Sequence, residues 1–84
     1  MNNKQRKILK KILQEPADGN LDWAKIESLF LALGCRVIEG KGSGVTFEKY
    51  GIKARFHRPH PGQNALRYRV IAARDFLQKI GVTP

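Results

Sequence analysis

The sequence predicts an α+β domain, a three-stranded antiparallel sheet packed on two helices, with an extra helix before them. Three observations carry this. Trp23 to Leu33 and Arg67 to Ile80 place apolar residues at helical spacing. Val45 to Lys49 and Ile52 to His57 instead alternate with period two. Short glycine-containing turns join the strands, which makes their neighbours antiparallel.

The N-terminal helix spans Lys4 to Gln14. Ile8, Leu9, Ile12 and Leu13 form one stripe, and Arg6, Lys7, Lys10 and Lys11 cover the other faces as a solvated surface. Pro16 stops it, and Ala17 to Asn20 is a turn-rich linker. The residues leave three placements for this helix: docked on the domain, laid on a partner, or frayed.

The second helix opens at Asp22, whose carboxylate suits the free N–H groups of the first turn. Leu21 and Ile26 are spaced as a hydrophobic staple. Trp23, Ile26, Leu29, Phe30 and Leu33 make its apolar stripe, so Trp23 reads as core and not as a base-stacking platform. Gly34 ends it, because glycine takes positive φ at little cost.

Cys35 to Ile38 is the first strand, Gly40 to Gly44 a turn, and Val45 to Lys49 the second strand. Tyr50-Gly51 turns the chain into Ile52 to His57, the third. Val45, Phe47, Ile52, Ala54 and Phe56 share the core face, and Lys53, Arg55 and His57 point the other way. Arg58 to Asn64, with two prolines and a glycine, is a loop. In the last helix Val70, Ala73, Leu77 and Ile80 form the apolar face, with Tyr68 and Phe76 at its margins and Gly81 as cap. The order α, α-β-β-β-α is that of double-stranded-RNA-binding domains, although fold alone does not give function.

Eighty-four residues are enough for one domain and a simple core. Residues 1–20 read as a basic helix and linker, and residues 21–84 as the domain proper. One cysteine, Cys35, excludes an internal disulfide and a cysteine-based zinc site. No apolar run nears the roughly 20 residues of a spanning helix, so a cytoplasmic protein with no membrane role is expected. Sixteen Lys and Arg against seven Asp and Glu give a net charge of +9. Between Arg36 and Arg74 nine basic residues face two acidic ones. Charge gathered on the strands and their flanks favours a binding face for a polyanion, either nucleic acid or an acidic protein.

Chemistry-bearing residues are few. His57 and His60 are the side chains whose ordinary pKa lies near neutrality. Lys41, Lys53, Arg55 and Arg58 are candidates to neutralise phosphate, and the Gly40–Gly44 turn offers backbone N–H groups as a small anion nest with Ser43 beside them. Each has a plainer reading: a histidine bonded to backbone, a solvated charge, a turn that only joins strands. His57-Arg58-Pro59-His60 has no carboxylate or cysteine beside it and is surrounded by cations, so no metal site and no cofactor is expected. A serine nucleophile lacks its strand–turn–helix context.

Four segments, LDWAKIESLFLALG, EGKGSGVTFE, KARFHRPHPG and RYRVIAARDFLQKIGV, give the sequence a resemblance to the HicA (YcfA-like) toxins of bacterial toxin–antitoxin systems. The resemblance covers roughly residues 21 to 84. It implies a double-stranded-RNA-binding-like fold, ribosome-independent cleavage of mRNA without a metal, and inhibition by a HicB-like antitoxin. Such toxins commonly carry Gly-Ser-His at the start of the second strand, with that histidine taken as catalytic. This chain reads Gly42-Ser43-Gly44. Ser43 matches, and Gly44 stands where the histidine would be, so the activity is relocated or lost. If relocated, His57 or His60 is the acid/base, Lys41, Arg55 and Arg58 hold phosphate, Lys53 adds to the basic face, and Ser43 orients the RNA. If lost, the chain is a non-catalytic RNA-binding or antitoxin-binding module.

Overall fold

Asn2 and Asp22 decide where the first two helices begin. The Asn2 side chain accepts the Gln5 N–H at 2.9 Å, and the Gln5 side chain accepts the Asn2 N–H at 2.9 Å, a reciprocal capping box. Asp22 accepts the Ala24 N–H at 3.0 Å. The computed structural model describes residues 1–82, so the last two residues of the 21–84 segment lie outside the described residues. Its elements are α1 (Asn3–Leu13), α2 (Trp23–Ala32), β1 (Arg36–Glu39), β2 (Gly44–Lys49), β3 (Ile52–His57) and α3 (Leu66–Lys79). This is the α+β order the sequence predicts.

The sheet is an antiparallel meander, β1-β2-β3. Tyr50 and Gly51 join β2 to β3 with φ of 56° and 78°, the two positive angles of a type I′ turn that matches the twist of a hairpin. That turn sets the register: Lys49 faces Ile52, Phe47 faces Ala54, Val45 faces Phe56 and Gly44 faces His57. Val45, Phe47 and Phe56 are buried on one face, while Lys53, Arg55 and His57 are exposed on the other.

The covered face meets α2 and α3 through an aromatic cluster. Phe30 stands 4.8 Å from Phe47, 5.9 Å from Phe56 and 5.3 Å from Phe76 between ring centroids. Trp23 lies 5.2 Å from Phe56. Each such ring contributes roughly 1.5–3 kcal/mol by leaving water. Phe76, expected at the margin of α3, sits inside the core at 2% exposure, while Tyr68 is 62% exposed. A helical stripe wide enough to reach both the sheet and α2 takes in Phe76 beside Leu77.

α1 docks. Leu9 and Ile12 are buried in the same core as the aromatic cluster, and the helix packs on α2 and α3. One residue of α3 fastens its end: Arg74 donates to the carbonyls of Ile12 at 3.1 Å and Gln14 at 2.7 Å, and pairs with Glu15. Arg67 donates to the Ala17 carbonyl at 3.2 Å. α3 has no side-chain cap, and its start is held instead by the Ala65 N–H donating to Leu21 O at 2.7 Å. Burial pushes the Cys35 thiol up, which leaves it a core side chain and not a thiolate. Among the described residues no helix is long and apolar enough to cross a membrane.

Candidate nucleic-acid interface

The uncovered face of the sheet is built from alternate residues of β2 and β3. Gly44, Thr46 and Glu48 pair with His57, Arg55 and Lys53, and paired side chains of antiparallel strands stand on the same face about 4.5–5.5 Å apart. Lys53, Arg55 and His57 therefore form one exposed row. Glu48 is the acid in this patch, and it is engaged from β1 by Arg36 at 3.1 Å. Arg55 and Lys53 make no ion pair among the described residues, so their charge faces outward uncompensated.

One end of the row carries the chemistry. The Ser43 hydroxyl lies 3.4 Å from His57 Nδ1. When Nδ1–H donates to Ser43 Oγ, the neutral ring keeps Nε2 free as a base. Two further bonds hold the end of β3 that carries the imidazole. The His57 carbonyl accepts from Arg69 Nε at 2.7 Å, and the next N–H, that of Arg58, donates to Ser43 O at 2.8 Å.

Gly44 leaves space on this face that a neighbouring side chain takes. A Cβ there would come 3.2 Å from Arg55 Nη2 and 3.3 Å from Lys41 O. The Arg55 guanidinium thus lies over the glycine, in the space a side chain at position 44 would claim, and beside His57.

In the turn before β2, the Gly40 N–H donates to Gly44 O at 2.9 Å and the Gly44 N–H to Lys41 O at 3.1 Å. The N–H groups of Lys41, Gly42 and Ser43 make no backbone bond among the described residues. The Lys41 side chain is exposed.

Arg58 has other work. Its guanidinium bonds Glu27 at 2.6 Å and Glu39 at 2.7 Å, and Glu27 also accepts from Trp23 Nε1 at 2.9 Å. The hydrogen bond from Arg58, ahead of its Coulomb attraction, holds the Glu39 carboxyl below its ordinary range. The same bonds, Glu39 first and then Glu27, raise the Arg58 guanidinium further above its own. Arg58 cannot take a phosphate without releasing two carboxylates. Its place is behind the site, tying α2 and β1 to the residue that follows His57.

His60 lies in the loop after β3 and is exposed, with its carbonyl accepting the Gln63 N–H at 3.0 Å. Its ring makes no hydrogen bond among the described residues. Of the residues expected from sequence, Ser43, Arg55 and His57 come together around Gly44, Lys53 extends the row, Lys41 flanks it, and His60 stands apart. Arg69 and Glu39, which shape the site, carry no local sequence signal, because each acts on a residue far away along the chain. Among the described residues no three His, Cys, Asp or Glu side chains gather as a metal-binding cluster.

Residues 23–82 match the family model described as the HicA toxin of bacterial toxin-antitoxin. No curated protein and no solved structure matches the chain.

Proposed function

Since the chain belongs to the HicA toxin family, we propose that it is a toxin that binds RNA, mRNA in the first place, on its open sheet face and cleaves it with His57. The pairing of Gly44 with His57 carries this reading. It places an imidazole one strand over from the position where the family commonly keeps one, on the same face and beside the matching serine.

In this reading His57 takes the proton of the 2′-hydroxyl, and the 2′-oxygen attacks the adjacent phosphorus. The bond from phosphorus to the 5′-oxygen breaks, leaving a cyclic 2′,3′-phosphate and a 5′-hydroxyl. Arg55, over Gly44 and next to the imidazole, faces the charge that grows on the phosphate oxygens, and Lys53 extends that field along the strand. The open N–H groups of the Lys41–Ser43 turn hold a neighbouring phosphate. Ser43 orients the imidazole. The leaving 5′-oxygen takes its proton from water, with His60 apart from this cluster. The work falls to side chains of this chain, and a HicB-like antitoxin in the cytoplasm restrains it by covering the same basic face.

A second reading has its own observation. Arg55 fills the space at Gly44, and a phosphate-holding cation there suits an RNA-binding module that does not cut. RNA degradation in the presence of a chelator separates the two. Cleavage by the unmodified protein, reduced about 10²–10⁴-fold in His57→Ala and less in His60→Ala, supports the nuclease. Binding with strong salt dependence and no cleavage identifies the module.

A further inference from the structure

We propose that the trough between α1 and α2 is a second contact surface for the sugar–phosphate backbone of RNA, separate from the sheet face. This rests on the reading of RNA as the ligand and extends the surface that takes it. The family match begins at residue 23, so α1 lies outside it.

α1 carries Lys4, Arg6, Lys7, Lys10 and Lys11 and no acidic residue. All five are exposed. Neither they nor Lys25 of α2 make an ion pair among the described residues. Lys4, Lys7 and Lys11 follow i, i+3, i+7 spacing and share one flank, and together with Lys25, Ile8 and Ser28 they line one trough. This placement opposes the fold. Lys4 sits in the first turn, where the helix dipole favours an anion, and neighbouring like charges repel. A polyanion laid in the trough relieves both.

The kind of polyanion follows from what surrounds the charges. A bilayer needs an exposed apolar stripe, but Leu9 and Ile12 of α1 are buried in the core. The trough's cations are all lysines, which hold phosphate oxygens as point charges without a fixed geometry. Lys4 and Lys11 stand about 10 Å apart along the axis, so the cations form a line suited to a repeating charge. α1 packs on α2 and α3 rather than on the strands, so one RNA reaches both surfaces only if it is long enough to pass around a domain of 31 × 28 × 21 Å.

Binding of single-stranded RNAs of about six and about thirty nucleotides, titrated across salt concentration, tests this. The variants are Lys4→Gln/Lys7→Gln/Lys11→Gln/Lys25→Gln, the same four positions changed to Arg, and Lys53→Glu/Arg55→Glu, with thermal melting to show that each is folded. The Gln variant is expected to bind the long RNA about tenfold or more weakly and to flatten its log–log salt slope by about 2–3. It should bind the short RNA normally, and the Arg variant should bind as the unmodified protein does. Unchanged affinity and slope in the Gln variant overturn the proposal. If Lys53→Glu/Arg55→Glu then loses binding, the sheet reading stands alone. If the Gln variant loses binding while the sheet variant keeps it, the trough stands and the sheet reading falls. Loss of poly-glutamate binding with RNA binding intact assigns the trough to an acidic protein and also overturns the proposal.

Discussion

Gly44 and His57 are direct partners across β2 and β3, so a residue with a side chain at 44 would stand shoulder to shoulder with the imidazole. Gly44 does not use positive φ, and a Cβ there would meet the far end of the flexible Arg55 side chain at 3.2 Å and the Lys41 carbonyl oxygen at 3.3 Å. Gly44→His is expected to fold with a loss of about 1–2 kcal/mol, as the strand gain of a non-glycine residue offsets only part of the crowding against that carbonyl. Its cleavage of RNA under chelator should rise about tenfold or more, since a second imidazole adds acid–base capacity at the same phosphate. An unchanged or lower rate in a folded Gly44→His protein would count against this location of the chemistry.

Glu39 gives a pH dependence with a definite sign. Arg58 lowers its carboxyl from the ordinary 4.5, so the folded state favours the ionised form. That stabilisation is fully present above the unfolded value and is lost as pH falls through the folded one. Comparing thermal midpoints of the parent and Glu39→Gln from pH 7 down to pH 3, the gap should be widest near neutrality and close in acid. A gap that stays constant would show that the pair does not act as described.

The turn at Tyr50 leaves stability unclaimed. Tyr50 holds φ of 56° and is 77% exposed, with its ring 5.1 Å from Lys49 Nζ. Asparagine is the preferred first residue of a type I′ turn before glycine. Tyr50→Asn should stabilise the protein by about 0.5 kcal/mol in chemical denaturation, with the denaturant slope unchanged.

Ile12 is wholly buried at the contact of α1 with the rest of the core. Ile12→Ala should cost about 2–5 kcal/mol. A loss below about 0.5 kcal/mol would mean that α1 is not held as the structure has it.

Much of this was readable in the residues. Period-two alternation gave the facing of Lys53, Arg55 and His57, because a strand leaves its side chains two sides and no others. Asp22 marked the start of α2, and Tyr50-Gly51 marked a two-residue turn. What escaped depends on distance along the chain. The partners of Arg58 lie 31 and 19 residues away, so by sequence it looked like a free cation for phosphate. Ser43 meets His57 through register alone, and a one-residue slip would send the imidazole to the opposite face. The docking of α1 turned on Arg74, 62 residues from Ile12. Phe76 fell inside the core because α3 has to serve two neighbours at once.

Arg74 also reaches beyond the stretch that the family match covers. The stretch shared with the family begins at residue 23, yet this arginine of α3 spends its guanidinium on Ile12, Gln14 and Glu15. A chain trimmed to the matched stretch would keep the arginine and lose all three acceptors, along with four side chains of the core, Leu9, Ile12, Ala17 and Leu21. The stretch that the family match covers is shorter than the stretch that packs around one core.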